Sequence, residues 1–163
     1  MDHELGLLRA DEDRRMIGLA LLANAGATLA LAGLIWTVQV SLYPLFAYVG
    51  PASFPEYHRQ HSNRITALVG PLMLVELVTA VALAIWPPAA LGRLPFVLGL
   101  GLVLVAWAST AFVQVPLHGA LGSGFSAEIQ ARLVQTNWLR TAAWSARGAV
   151  VLWMLARLLP SNV

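Results

Sequence analysis

Phe54-Pro55-Glu56-Tyr57-His58-Arg59-Gln60-His61-Ser62-Asn63-Arg64 runs directly into an almost purely apolar stretch that lasts to Trp86. Ser53 and Glu56 have the spacing of a capping box, so a helix is predicted from Phe54. Pro87-Pro88 supply the stop. A helix needs about 20 apolar residues to cross a hydrocarbon core of about 30 Å, and residues 65–86 provide them. The segment reads as a polar cluster carried on top of a membrane span. His58 and His61 stand three apart and therefore on one side of that helix.

Working outward, apolar runs at 16–49, 94–115 and 138–159 give three further spans. The fold class is all-α: an integral membrane four-helix bundle built from two repeated helical hairpins. Residues 1–15 form a polar N-terminal tail, and residues 16–163 form the four-span membrane domain. The first apolar run is far longer than the roughly 7–15 residues of a secretory signal, so it is read as a span. Pro44 is expected to kink or end the first helix, because it lacks an amide donor and crowds the carbonyl of Val40. Pro116 and the glycines at 119, 122 and 124 mark a loop after the third span. Ser126 is the N-cap expected for the last helix.

The composition agrees with a lipid bilayer as the main partner: mean hydropathy is +0.70, and all ten basic residues are arginines. Those arginines are scattered rather than gathered in a stripe with aromatics, which argues against nucleic acid. Zero cysteines exclude disulfides, thiolate metal sites and thiol nucleophiles. Four spans put both termini on one side, with Arg9, Arg14, Arg15, Arg93 and Arg157. Arg59, Arg64, Arg132 and Arg140 go to the other. This slight bias points to a multi-pass protein of the cell inner membrane with cytoplasmic termini.

Val38-Gln39-Val40-Ser41-Leu42-Tyr43 matches Val113-Gln114-Val115-Pro116-Leu117-His118 at a spacing of 75 residues. His61-Ser62-Asn63-Arg64-Ile65-Thr66 resembles Gln135-Thr136-Asn137-Trp138-Leu139-Arg140-Thr141 with one residue inserted. Both matches fall at the end of an odd span and the start of an even one. They predict two hairpins in the same orientation, related by an axis along the membrane normal. Gln39 would then lie opposite Gln114, and Tyr43 opposite His118.

Two charges sit deep in the apolar runs. Glu76 is eleven residues into its span, roughly 16 Å at 1.5 Å per residue, and Arg147 is at a similar depth. Unpaired charges there are costly, so the two are expected to pair, either as an interhelical clamp or as the floor of a polar pocket. Gln39, Tyr43, Gln114, His118, Asn137 and Arg140 would form its walls, with His58 and His61 at the rim. His58, His61 and His118 are also candidate ligands for a metal ion such as zinc, iron or copper. Against this, the spacing is neither that of a zincin helix nor that of a di-iron bundle. The cofactor is otherwise undefined.

The four-span layout, the Gln114-Val115-Pro116-Leu117-His118 end of the third span and the Asn137-Trp138-Leu139-Arg140-Thr141 start of the fourth resemble the anthrone-oxygenase-like membrane proteins. The second half carries most of the likeness, and the histidine-rich run at 58–61 departs from it. The resemblance implies an oxidoreductase or oxygenase-like enzyme acting on a lipophilic aromatic or quinone-like molecule without an obvious cofactor. It also implies that Asn137 and Arg140 belong to a shared core. His118, His58 or His61 would move protons, and Arg140 would stabilise an enolate or phenolate. Two other classes compete. One is a non-catalytic subunit that helps assemble or stabilise a membrane complex; the other is a small transporter acting as a homo-oligomer, namely a dimer.

Overall fold

The structure, a computed structural model, describes residues 2–158; the last residue of the fourth predicted span lies outside them. Four long helical rods follow one another up and down. α1 spans Asp2–Thr37 and α2 spans Phe54–Ile85. α3 spans Leu94–Ser109, and α4 spans Ala127–Leu158. α1 packs on α2 and α4, and α3 packs on the same two, so the rods close a ring. No strand is present among the described residues.

The starts of the rods follow their local chemistry. α2 begins at Phe54 with Pro55 in its first turn, where a missing amide costs nothing. The capping box itself does not form: Ser53 makes no side-chain cap bond, and Glu56 binds Arg59 and Gln60 instead. At α4 the Ser126 cap is made, with the Ile129 amide donating to its Oγ at 3.4 Å. The predicted polar tail is helical from Asp2, with residues 11–16 exposed.

Pro44, expected to kink or end the first rod, and Pro116, expected in a loop after the third, both reshape their rods without stopping them at once. Before Pro44, residues Val38–Leu42 form a π turn in which the Tyr43 amide reaches back to the Val38 carbonyl. Before Pro116, Thr110–Gln114 do the same, with Val115 reaching Thr110. In an α-helix each proline ring would crowd the carbonyl four residues earlier; the wider turn relieves that contact. The third rod therefore continues through Val115–Leu121, and His118 sits on helix rather than in a loop. The first rod ends in two short turns, Tyr43–Leu45 and Phe46–Tyr48.

Three stretches are helical, long and apolar enough to cross a membrane: Asp11–Tyr48, Phe54–Ile85 and Leu94–Leu121. α4, expected to supply a fourth, is not among them, because Arg140 and Arg147 interrupt its apolar run. Those arginines point inward, where they are buried. Large apolar side chains such as Leu22, Val78, Leu98, Phe112 and Trp153 are exposed around the outside.

Glu76 and Arg147 do not form the expected ion pair; the only ion pairs among the described residues are Arg15–Asp11 and Arg59–Glu56 on the surface. Depth brought the two charges to one layer, but neutral groups stand between them. Glu76 accepts from the Thr28 hydroxyl at 2.8 Å and from the Trp144 indole at 3.0 Å. Arg147 donates to the Asn24 side-chain oxygen. The Asn24 amide in turn donates to the Glu76 carbonyl and to Thr79. Gly99 makes the room: a Cβ there would stand 2.8 Å from Arg147 Nη1.

Gly99→Ala should therefore lower stability by about 1–3 kcal/mol through overpacking. In an Arg147→Leu background, which lacks the obstructing guanidinium, the same change should cost much less. Thermal unfolding of the four proteins in detergent checks this; equal costs in both backgrounds would show that the glycine serves something other than Arg147.

Candidate functional site

The two π turns bring residues from three rods to one point near the ends joined by the α1–α2 and α3–α4 connections. Tyr43, just past the first π turn, is buried and meets His118, just past the second, with its hydroxyl 2.9 Å from Nε2. The other ring nitrogen of His118, Nδ1, lies 3.0 Å from His58 Nε2 on α2. Phe46 is wholly buried and presents its ring edge-on to His58, His61 and His118. His58 stacks on Phe54 at 5.6 Å, and His61 lies nearly parallel to His118 at 6.0 Å. This aromatic casing holds the rings in place.

On the inner side of Tyr43 and His118 is a cavity of about 380 Å³. Leu31, Ile35, Val69, Met73, Trp107 and Trp144 give it apolar walls. Tyr43, His118, Gln114 and Arg140 form its polar end. The Arg140 guanidinium sits 5.2 Å over the Trp144 ring, and its Nε has no hydrogen-bond partner. Among the described residues no carboxylate is within ion-pair distance of it. A buried, uncompensated guanidinium over an apolar hollow favours a ligand oxygen that carries or develops negative charge. A second cavity of about 680 Å³ lies on the outer side of the histidines. Pro55, Glu56, His58, Arg59, Asn63 and Gly119 line it.

Of the residues expected in the pocket, Tyr43, Gln114, His118 and Arg140 do line the inner cavity. Gln39 and Asn137 do not. The Gln39 amide donates to the Val134 carbonyl, and its oxygen accepts from Asn137 at 2.8 Å, so the two clamp the first π turn to α4 outside the cavity lining. Glu76 and Arg147 are not its floor; Glu76 instead fixes Trp144, one of its walls, through the indole. His58 is buried and lines the outer cavity, whereas His61 lines neither, and its Nε2 has no partner.

The three histidines converge, yet they do not fit the metal centre that their proximity on one membrane side suggested. Both nitrogens of His118 are engaged, one by Tyr43 and one by His58. No group of three or more His, Cys, Asp or Glu among the described residues is arranged to hold a metal ion. Asn24 and Thr28 were not singled out as site residues, although their spacing of four on an apolar helix puts both on one face. Trp144, four residues after Arg140, is a cavity wall under its guanidinium. No protein-family profile, curated protein or solved structure matches the chain.

Tyr43→Phe should keep the fold, at a cost of about 1–3 kcal/mol for the unpaired nitrogen left behind. Because the ring roles depend on the tautomer, ¹⁵N spectra of labelled histidine should show His118 changing its tautomer balance while His58 stays paired to it. An unchanged His118 signal would mean that the phenol does not set its protonation pattern.

Proposed function

We propose that the chain is a multi-pass inner-membrane protein that takes a lipophilic aromatic ketone, phenol or quinone-like molecule from the bilayer into the inner cavity and removes a proton from it. The observation that carries this reading is the segregation within the cavity: apolar walls throughout, and one polar end where Arg140 has no carboxylate partner. Arg140 stabilises the developing enolate or phenolate, and the Tyr43–His118 pair accepts the proton. Three helices of membrane-crossing length, their outward apolar side chains and α4 with Arg140 and Arg147 turned inward support the bilayer as the surrounding medium. The arginine bias favours cytoplasmic termini, and the Tyr43–His118 contact agrees with an origin in two repeated hairpins.

The resemblance to anthrone-oxygenase-like proteins narrows the reaction to oxygenation. The enolate of an anthrone reacts with dioxygen; the methylene carbon becomes a carbonyl, its two hydrogens leave as water, and dioxygen supplies both oxygens. The chain's residues serve by binding, charge stabilisation and proton removal. The apolar walls keep water from the carbanion.

With the protein in lipid nanodiscs, oxygen uptake on anthrone should exceed autoxidation. Arg140→Gln should reduce the protein-dependent rate by about 100-fold, the loss seen when an oxyanion donor is removed. Uptake at the autoxidation rate with a folded wild-type protein would remove the enzymatic reading and favour an assembly subunit.

A further inference from the structure

The two cavities share one histidine. Tyr43 faces only the apolar cavity, His58 only the polar one, and His118 lines both. The contacts between them, 2.9 and 3.0 Å, make an unbroken path of groups that can each accept one proton while donating another, the phenol at its single oxygen and each imidazole at its two nitrogens. We propose that Tyr43, His118 and His58 form a proton relay across this partition, with His58 as the outer station that exchanges protons with water in the polar cavity. This rests on the reading of the inner cavity as a site for weakly acidic lipophilic molecules.

The outward step balances as a chain of single transfers. The ligand proton goes to Tyr43 Oη as the Tyr43 proton goes to His118 Nε2. The proton on His118 Nδ1 passes to His58 Nε2, and His58 Nδ1 releases its own to water. The ligand is left as an anion beside Arg140, and one proton has appeared outside. Ser62 also lines both cavities, but its hydroxyl has no hydrogen-bond partner and so belongs to no bonded chain, and the other neighbouring polar groups offer no equal path either. Gln114 is an amide bound to Thr136, and an amide passes no proton. His61 is unbonded at Nε2 and lines neither cavity. On the outer side the charged groups Glu56 and Arg59 are bonded to each other at 2.7 Å, which leaves His58 as the exchanging group.

The outward step also reverses every hydrogen bond in the chain. His118 then carries its proton on Nε2, toward Tyr43, and His58 on Nε2, toward His118. Resetting needs either two ring flips or a proton running inward. Phe46, Phe54 and His61 pack against the rings and oppose the flips. The relay therefore alternates, one proton out and one back. A molecule enters from the lipid uncharged, is held as an anion while its proton is stored on the aqueous side, and leaves uncharged when the proton returns.

The test uses 4-phenylazophenol, an apolar phenol whose anion absorbs in the visible, mixed rapidly with the protein in nanodiscs. Quenching of tryptophan emission reports binding, the colour reports the anion, and a pH indicator reports the released proton. In the wild type, colour and proton should appear together after quenching. In His58→Ala the quench should persist while colour and proton develop at least tenfold more slowly, and imidazole in the buffer should restore the rate. His58→Gln, which keeps a hydrogen bond to His118 but passes no proton, should be equally slow and covers the event that the alanine variant does not fold. Wild-type rates in both variants, or a slow His58→Ala that imidazole leaves slow, would overturn the relay. Quenching without colour in the wild type would overturn it too while leaving the cavity as a binding site. No quenching at all would sink the cavity reading and the relay with it.

Discussion

A polar atom buried among apolar helices has no water to turn to, so it binds another polar atom or carries the full cost of desolvation. In this bundle that constraint sets how the rods face one another. The Gln39 amide reaches two partners on α4, Val134 and Asn137. Asn24 ties α1 to both Arg147 of α4 and the carbonyl of Glu76 in α2. Rotating any rod to bring a different stripe inward would strand several of these groups at once. The apolar side chains fill the volume between the rods, but they are interchangeable from one face to another. The amides, hydroxyls and guanidinium groups are what choose a single arrangement.

The same constraint separates structural polarity from reactive polarity. In the layer around Asn24 both carboxylate oxygens of Glu76 are met by neutral donors and Arg147 is tied to Asn24, which makes it a joint even though Arg147 Nε and Nη1 stay unpaired. Around Arg140 the balance is left open, with a cation, a phenol and an imidazole gathered where no carboxylate stands. Such an arrangement is tolerable in a folded protein when a bound molecule supplies the missing partner for part of the time. In the proposed function, binding and charge development are coupled by the same guanidinium.

Much of the architecture was legible from residue order. The apolar runs and the breakers Pro87-Pro88 and Gly122-Ser123-Gly124 marked the rods, and Phe54 and Ser126 marked two of their starts. The meeting of Tyr43 with His118 followed from matched positions. What remained hidden depended on angle around a helix axis. Depth along the span placed Glu76 and Arg147 in one layer correctly, but depth is a single coordinate, and Asn24, Thr28 and Trp144 occupy the directions between them. Pro44 was expected to kink or end its rod and Pro116 to mark a loop, because a proline in an α-helix breaks the bond pattern. A one-turn widening preserves the rod, and no residue type announces it. The last helix was read as a span from its apolar residues, whereas Arg140 and Arg147, which the fold turns to one inward face, lower its affinity for hydrocarbon as a separate element.

The π turns have a further consequence for how the gene for such a chain can vary. Each is a five-residue segment whose length sets the phase of everything after it. Removing one residue from 38–42 would restore an α-helical turn at little local cost. It would also rotate Tyr43 by about 100° and draw it about 1.5 Å back along the axis. The phenol would leave His118, although every side chain that makes the site would still be encoded. Substitutions in these two segments are thus filtered by chemistry, while insertions and deletions are filtered by geometry, and more severely. Between residues 38 and 43, and between 110 and 118, the count of residues is itself a determinant of the site.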